Sequence, residues 1–115
     1  MIAFRICENK NGKLLTLFHG INGSRVMPTQ KWITSQTKTV RDGSRSKAKE
    51  YISGFHVLPT LDECRQFSKK FRAKRELVIV ECEIDDNFWE KEHSPANVLL
   101  AKNIKINKIV EKIII

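Results

Sequence analysis

Residues 76–84, ELVIVECEI, constrain the fold of this chain more than any other stretch. The run contains no Gly or Pro, and Val78, Val80 and Cys82 alternate with Ile79, Glu81 and Glu83. β-branched residues in alternation fit a pleated surface, so the run predicts a strand at the centre of a sheet. Partners for it stand at both ends of the chain. IAFRIC (2–7) alternates apolar and other residues, NKNG (9–12) supplies a turn, and KLLTLF (13–18) resumes the apolar pattern, which together predict a β-hairpin. The closing VLLAKNIKINKIVEKIII spaces Ile104, Ile106 and Ile109 with Lys and Asn, as expected of strand plus turn.

Between these segments, TLDECRQFSKKF carries a different period. Thr60 offers an N-cap hydroxyl, and Asp62 and Glu63 suit the positive end of a helix dipole. Leu61, Cys64, Phe67, Ser68 and Phe71 share one mainly apolar face, leaving Arg65, Lys69, Lys70 and Arg72 outward. The spacing predicts a helix over about 60–72. Residues 20–53 are rich in Gly, Ser, Thr, Asn and charge, and predict a long polar loop in which only KWITSQTKTVRD is ordered, with Trp32, Ile33 and Val40 dipping into the core. The expected class is α+β: a small, mainly antiparallel sheet with one main helix, in a single domain over 1–115.

Length and composition agree with one soluble globular unit. The chain has 115 residues, 41% hydrophobic and 30% charged, enough for one core without staples. No segment approaches the roughly 20 apolar residues that span a bilayer, and the charged start resembles no signal peptide, so a cytoplasmic protein without membrane contact is expected. Three cysteines form neither a CxxC pair nor an even framework and read as buried, reduced thiols.

Charge is the strongest global clue to function. The net charge is +8 and the pI is about 9.6. Lys and Arg gather in two segments, KTVRDGSRSKAKE and RQFSKKFRAKR. Such a surface attracts phosphates or acidic proteins. The candidate nucleic-acid-binding residues are Arg41, Arg45, Lys47, Lys49, Lys69, Lys70 and Arg72. Asp42-Gly43 reads as a turn that would hang the first cluster out as a basic finger.

The three histidines each stand where an apolar run meets a polar turn, in TLFHGINGSR, ISGFHVLPT and HSPANVLLA. In the first, Gly20 lets a ligand approach the backbone beside His19, while Ser24 and Arg25 offer a hydroxyl and a forked cation. In the second, inward Phe55 and Val57 would send His56 to the opposite face, free to titrate near neutrality as acid, base or donor. In the third, Lys91, His93 and Ser94 precede Pro95. The histidines are roughly 37 residues apart, which lacks the short spacing of metal motifs, so no metal is expected. A cleft shared by His19, His56 and His93 is the site they predict.

The motifs LFHGINGSR, KWI, VRDG, YISGFHVLPTLDE and KEHSPANVLLA resemble those of small proteins of unknown function encoded by phages and mobile elements. That resemblance implies an accessory protein acting by binding, on nucleic acid or an acidic host protein, and open to an anti-defence role of the anti-CRISPR kind. More distantly, the order of a strand ending in His-Gly, a Gly-aromatic segment leading into a helix, and a closing strand is similar to ADP-ribosyltransferase-like domains. This second resemblance implies NAD as ligand, with His19 at the first motif and Tyr51 or Phe55 at the second. At the third motif, where an acid would stabilise the developing cation, the chain has Asn97. The favoured expectation is therefore a binding protein without a cofactor, and the rival is a nucleotide-binding or ADP-ribosyltransferase-like enzyme.

Overall fold

The computed structural model describes residues 1–17, 26–35, 39–42, 49–52, 54–71, 76–91, 94 and 96–113, with 39–42 and 49–52 described by their backbone. The architecture is mostly antiparallel β-structure with one short helix. Strands β1 (Ile2–Lys10), β2 (Lys13–Leu15), β3 (Trp32–Thr34), β7 (Leu77–Ile84) and β10 (Asn103–Lys112) form a five-stranded sheet in the order β2-β1-β7-β10-β3. Strands β6 (Phe55–Val57), β8 (Phe88–Glu90) and β9 (Leu99–Ala101) form a second sheet in the order β6-β9-β8, and β4 (Thr39–Asp42) and β5 (Lys49–Ile52) pair with each other.

The opening hairpin and the central strand are as the sequence predicts. Asn11 and Gly12 both take positive φ, 53° and 77°, the backbone of the two-residue turn whose twist matches a right-handed hairpin. β7 lies in the middle of the large sheet, antiparallel to β1 on one side and β10 on the other. Its alternation serves two cores. Val78, Val80, Cys82 and Ile84 face a core shared with Phe55, Val57, Leu99 and Ala101 of the second sheet. Leu77 and Ile79 face the other side, where Ile6, Leu58, Cys64 and Val98 meet the helix.

Two connections fold the sheets around the first core. Phe4 and Leu58 exchange backbone hydrogen bonds of 2.8 Å in each direction, tying β1 to the end of β6. At the other side the chain bends at Lys102 between β9 and β10. The corner is satisfied by the Lys102 amide donating to Asn87 O at 3.0 Å and the Ser35 amide donating to Lys102 O at 2.7 Å, as buried backbone requires. β10 also shifts register between Ile106 and Lys108. Gln30, at φ 62°, serves that bulge: its amide donates to Ile106 O at 2.9 Å and its side-chain amide to Asn107 O.

The helix α1 spans Leu61–Ser68, shorter than the 60–72 expected. Its start is as predicted, with the Glu63 amide donating to Thr60 Oγ1 at 3.1 Å. Its end comes early because the Ser68 hydroxyl donates back to Arg65 O at 2.6 Å, and Lys69, Lys70 and Phe71 then donate to the carbonyls three residues earlier. That tighter pattern closes a helix end. The apolar face is the expected one: Cys64 and Ser68 are buried, Leu61, Phe67 and Phe71 pack beside them, and Arg65, Lys69 and Lys70 are exposed.

Within the long polar loop expected over 20–53, β3 and β4 fall in the piece KWITSQTKTVRD expected to be ordered, and the expectation is corrected at β5, which lies outside that piece. Alternation in three- and four-residue strands among polar residues is too brief to stand out from a loop. Ile33 packs against the first core as expected. Trp32 does not: it is 49% exposed, because β3 is an edge strand and Trp32, opposite Lys105, faces away from Ile33. The side chain of Val40 lies outside the described residues.

Candidate functional site

The expected cleft of three histidines rests largely on residues outside the described ones: His19, Gly20, Ser24, Arg25 and His93 all fall there. Tyr51 is on β5 opposite Val40 in the register of the β4–β5 ribbon. Ser94 is half-buried in the connection between β8 and β9. Asn97, at the position where the ADP-ribosyltransferase-like layout wants an acid, is exposed just before β9.

His56 has a defined setting. It is flanked by buried Phe55 and Val57, so alternation does turn it to the opposite face of the second sheet, as predicted. There it stands in a cross-strand row with Leu100 and Trp89. Gly54 lets this row close up, because a Cβ at Gly54 would lie 3.1 Å from Ala101 O and 3.3 Å from both Leu100 Cβ and Trp89 Cζ2.

The expectation that His56 titrates near neutrality is corrected. Burial, and then the positive charges of Arg5, Lys91 and Lys70, drive its pKa down to about 3, with a hydrogen bond to the Gly54 backbone opposing them. Desolvation and like charge both disfavour the imidazolium. At neutral pH His56 is therefore held in the neutral form.

The residue that sequence reasoning missed is Arg5. In IAFRIC it looks like the outward member of a strand, yet it shares its face of β1 with Ala3 and Cys7, which belong to the first core. Arg5 is only 9% exposed. Its Nη1 donates to His56 O at 3.0 Å, and its guanidinium carbon lies 5.4 Å from the centroid of the Phe55 ring. Its Nε has no hydrogen-bond partner, and no ion pair joins it to a carboxylate among the described residues. The available signal was parity: Arg5 is two residues from Ala3 and two from Cys7.

All three cysteines are free and buried, as expected. Burial pushes the thiols of Cys64 and Cys82 up to about 12 and raises that of Cys7 despite the neighbouring Arg5 charge. Protonated thiols are poor nucleophiles and poor metal ligands. Among the described residues, no three His, Cys, Asp or Glu side chains gather to hold a metal ion, and no helix is long and apolar enough to cross a membrane.

The basic candidates divide into two groups. Lys69 and Lys70 are exposed at the end of α1, where Lys70 Nζ lies 3.9 Å from the Phe67 ring centroid and 5.6 Å from that of Phe71. The two rings meet edge to face at 5.6 Å. Arg41 and Lys49 fall on β4 and β5, at register positions opposite Glu50 and Asp42. Arg45, Lys47 and Arg72 lie outside the described residues.

The same side of the large sheet as α1, further along, carries acids instead. Glu83 pairs with Lys105 at 3.3 Å, Asn107 donates to Glu81 at 3.3 Å, and Asn103 donates to Asp85 at 2.9 Å. Exposed Trp32 stands in the same row as Glu83 and Lys105. The chain's excess of positive charge is thus unevenly spread. No protein-family model, curated protein or solved structure matches this chain.

Proposed function

We propose that the chain is a small basic binding protein whose target is nucleic acid, engaged through the β4–β5 ribbon with its connecting residues and through the end of α1. What carries this reading is the basic two-stranded ribbon. Among the described residues β4 and β5 pair only with each other, while the segment 39–52 holds Arg41, Arg45, Lys47 and Lys49 against Asp42 and Glu50.

A two-stranded ribbon has the width that the major groove of B-DNA admits. The cross-strand positions of Arg41 with Glu50 and Asp42 with Lys49 favour the register of the ribbon, and the sequence between β4 and β5 adds Arg45 and Lys47 with no acid. Lys69 and Lys70 add positive charge beside two aromatic rings, a combination suited to phosphate and base contact. The resemblance to phage and mobile-element proteins fits a role in which such binding interferes with a host defence system of the CRISPR kind.

Fluorescence anisotropy with a labelled duplex and with a labelled single strand, each over a salt series, tests the reading. The parent is expected to bind with an affinity that falls linearly in log–log form with salt. Replacing Arg45, Lys47, Lys49, Lys69, Lys70 and Arg72 by Ser should weaken binding at least ~10-fold and flatten the salt slope. No binding by the parent at low salt would overturn the nucleic-acid target and leave an acidic host protein as the partner to seek by the same variant.

A further inference from the structure

We infer that the outer edge of β3 is a self-association surface, on which a second copy of this chain pairs antiparallel about a two-fold axis at Ile33 to form a weak dimer. This surface is separate from the ribbon and the helix end, and does not depend on the nucleic-acid reading.

Backbone groups on that edge lack partners. β3 pairs with β10 in a single register, with Thr34 opposite Asn103, Ile33 opposite Ile104 and Trp32 opposite Lys105. The Ser35 amide donates to Lys102 O, one step further in the same register. Antiparallel pairs alternate between those that exchange hydrogen bonds and those that do not. Ile33 therefore bonds to Ile104, while Trp32 and Thr34 direct their N–H and C=O groups away from β10. β3 is the last strand of the sheet, and no described residue meets those groups.

The other edges of the large sheet are blunted, and this one is not. Along β2, Val26 bridges to Leu15 and the Met27 amide donates to Leu14 O at 2.8 Å. β10 beyond its pairing with β3 is broken by register shifts at Ile106/Lys108 and Ile109/Glu111, and Gln30 fills the first of them. Bulges and covering segments prevent edge-to-edge pairing. β3 has no bulge, Pro or charge in its Trp-Ile-Thr, and it presents Trp32 49% exposed. Tryptophan is the side chain that most often carries the energy of an interface.

The edge matches a second copy of itself. In the antiparallel register about Ile33, Trp32 of each copy lies opposite Thr34 of the other, so the outward-directed groups of both copies coincide and hydrogen bonds run in both directions. Lys31 falls opposite Ser35 of the second copy, so no like charges face each other. The two five-stranded sheets then become one continuous sheet across the axis. A contact through a strand of 3 residues falls below the ~1,200 Å² of a standard interface. Each chain also carries +8, so the dimer is weak and strengthens as salt screens the repulsion.

Sedimentation equilibrium of the intact protein from ~10 µM to ~1 mM, at low and at high salt, reads the association of so small an interface. A monomer–dimer equilibrium that tightens with salt is expected, the opposite direction to nucleic-acid binding. Trp32→Lys should weaken the dimer at least ~10-fold. Thr34→Pro should do the same, because it removes an outward N–H and leaves the ladder to β10 intact. Phe88→Ser, at an exposed position on the edge strand β8, should dimerise as the parent does. Amide hydrogen exchange of the parent reads the edge directly: the Trp32 and Thr34 amides should exchange more slowly as protein concentration rises. A parent that stays monomeric throughout overturns the inference, as does a dimer that Trp32→Lys and Thr34→Pro leave intact, or one in which those amides gain no protection. If the variants do not fold, the concentration dependence of those amides in the parent decides the matter.

Discussion

Arg65 and Glu111, 46 residues apart, are joined by a two-pronged ion pair in which Arg65 Nε and Nη2 donate to the carboxylate at 2.8–3.0 Å. The pair ties the helix to the last strand, and each partner steadies the charge of the other: the Arg65 hydrogen bonds hold the Glu111 carboxyl below its usual range, and Glu111 raises the Arg65 pKa. One cation of the basic helix is thereby committed to an acid of its own chain.

That commitment separates the cations of α1 by function. Arg65→Gln should leave nucleic-acid affinity within about twofold of the parent, whereas Lys69→Gln with Lys70→Gln should lower it several-fold, as expected when about two phosphate contacts are lost. Anisotropy at one low salt concentration is sufficient, and equal losses in the two variants would show that Arg65 is not held back by Glu111.

Histidine 56 should make stability depend on pH in a fixed direction. Above pH 6.5 the imidazole is neutral in both the folded and unfolded chain and adds no pH dependence. As pH falls from 6.5 toward 3, the unfolded chain takes up a proton that the folded protein, with its His56 pKa at about 3, refuses, so stability drops across that window. The loss is on the order of 2–4 kcal/mol by linkage. Urea midpoints of the parent and His56→Gln at pH 7.5, 5.5 and 4 measure it. The gap between the two should shift in favour of the variant as pH falls, and parallel curves would rule out a depressed histidine.

Leu58 joins the two sheets, and its removal should be felt by both. It is 2% exposed in the core under α1, and its backbone is bonded to Phe4. Leu58→Ala should cost about 2–5 kcal/mol in chemical unfolding, the range for a large buried aliphatic residue. Trp32→Ala, at an exposed edge position, should cost under about 1 kcal/mol despite the larger side chain.

Gly54 is required by close packing rather than by a turn. A methyl group there would press on Ala101 O, Leu100 and Trp89 at 3.1–3.3 Å, and the first of these is backbone that cannot swing away. Gly54→Ala is expected to destabilise by about 1–3 kcal/mol and to alter the Trp89 fluorescence. A variant as stable as the parent would show that the row of His56, Leu100 and Trp89 is looser than described.

The elements legible in the sequence are those specified by neighbours along the chain. The Asn-Gly turn sets the first hairpin, because Asn11 and Gly12 tolerate positive φ. Thr60 starts the helix because its hydroxyl reaches an amide three residues on. β7 declares itself because eight residues without Gly or Pro alternate between two cores. What the tertiary structure decided is which face of each strand became interior. In β1, Ile2, Phe4 and Ile6 compete with Ala3, Arg5 and Cys7, and both sets hold apolar residues. Parity groups Arg5 with Ala3 and Cys7 but does not say which set turns inward, because that follows from pairing with β7, Arg5 opposite Val80, and from the Phe4–Leu58 link. The exposure of Trp32 and the depressed pKa of His56 have the same origin: each depends on groups brought close by the fold from far along the chain, where periodicity carries no information.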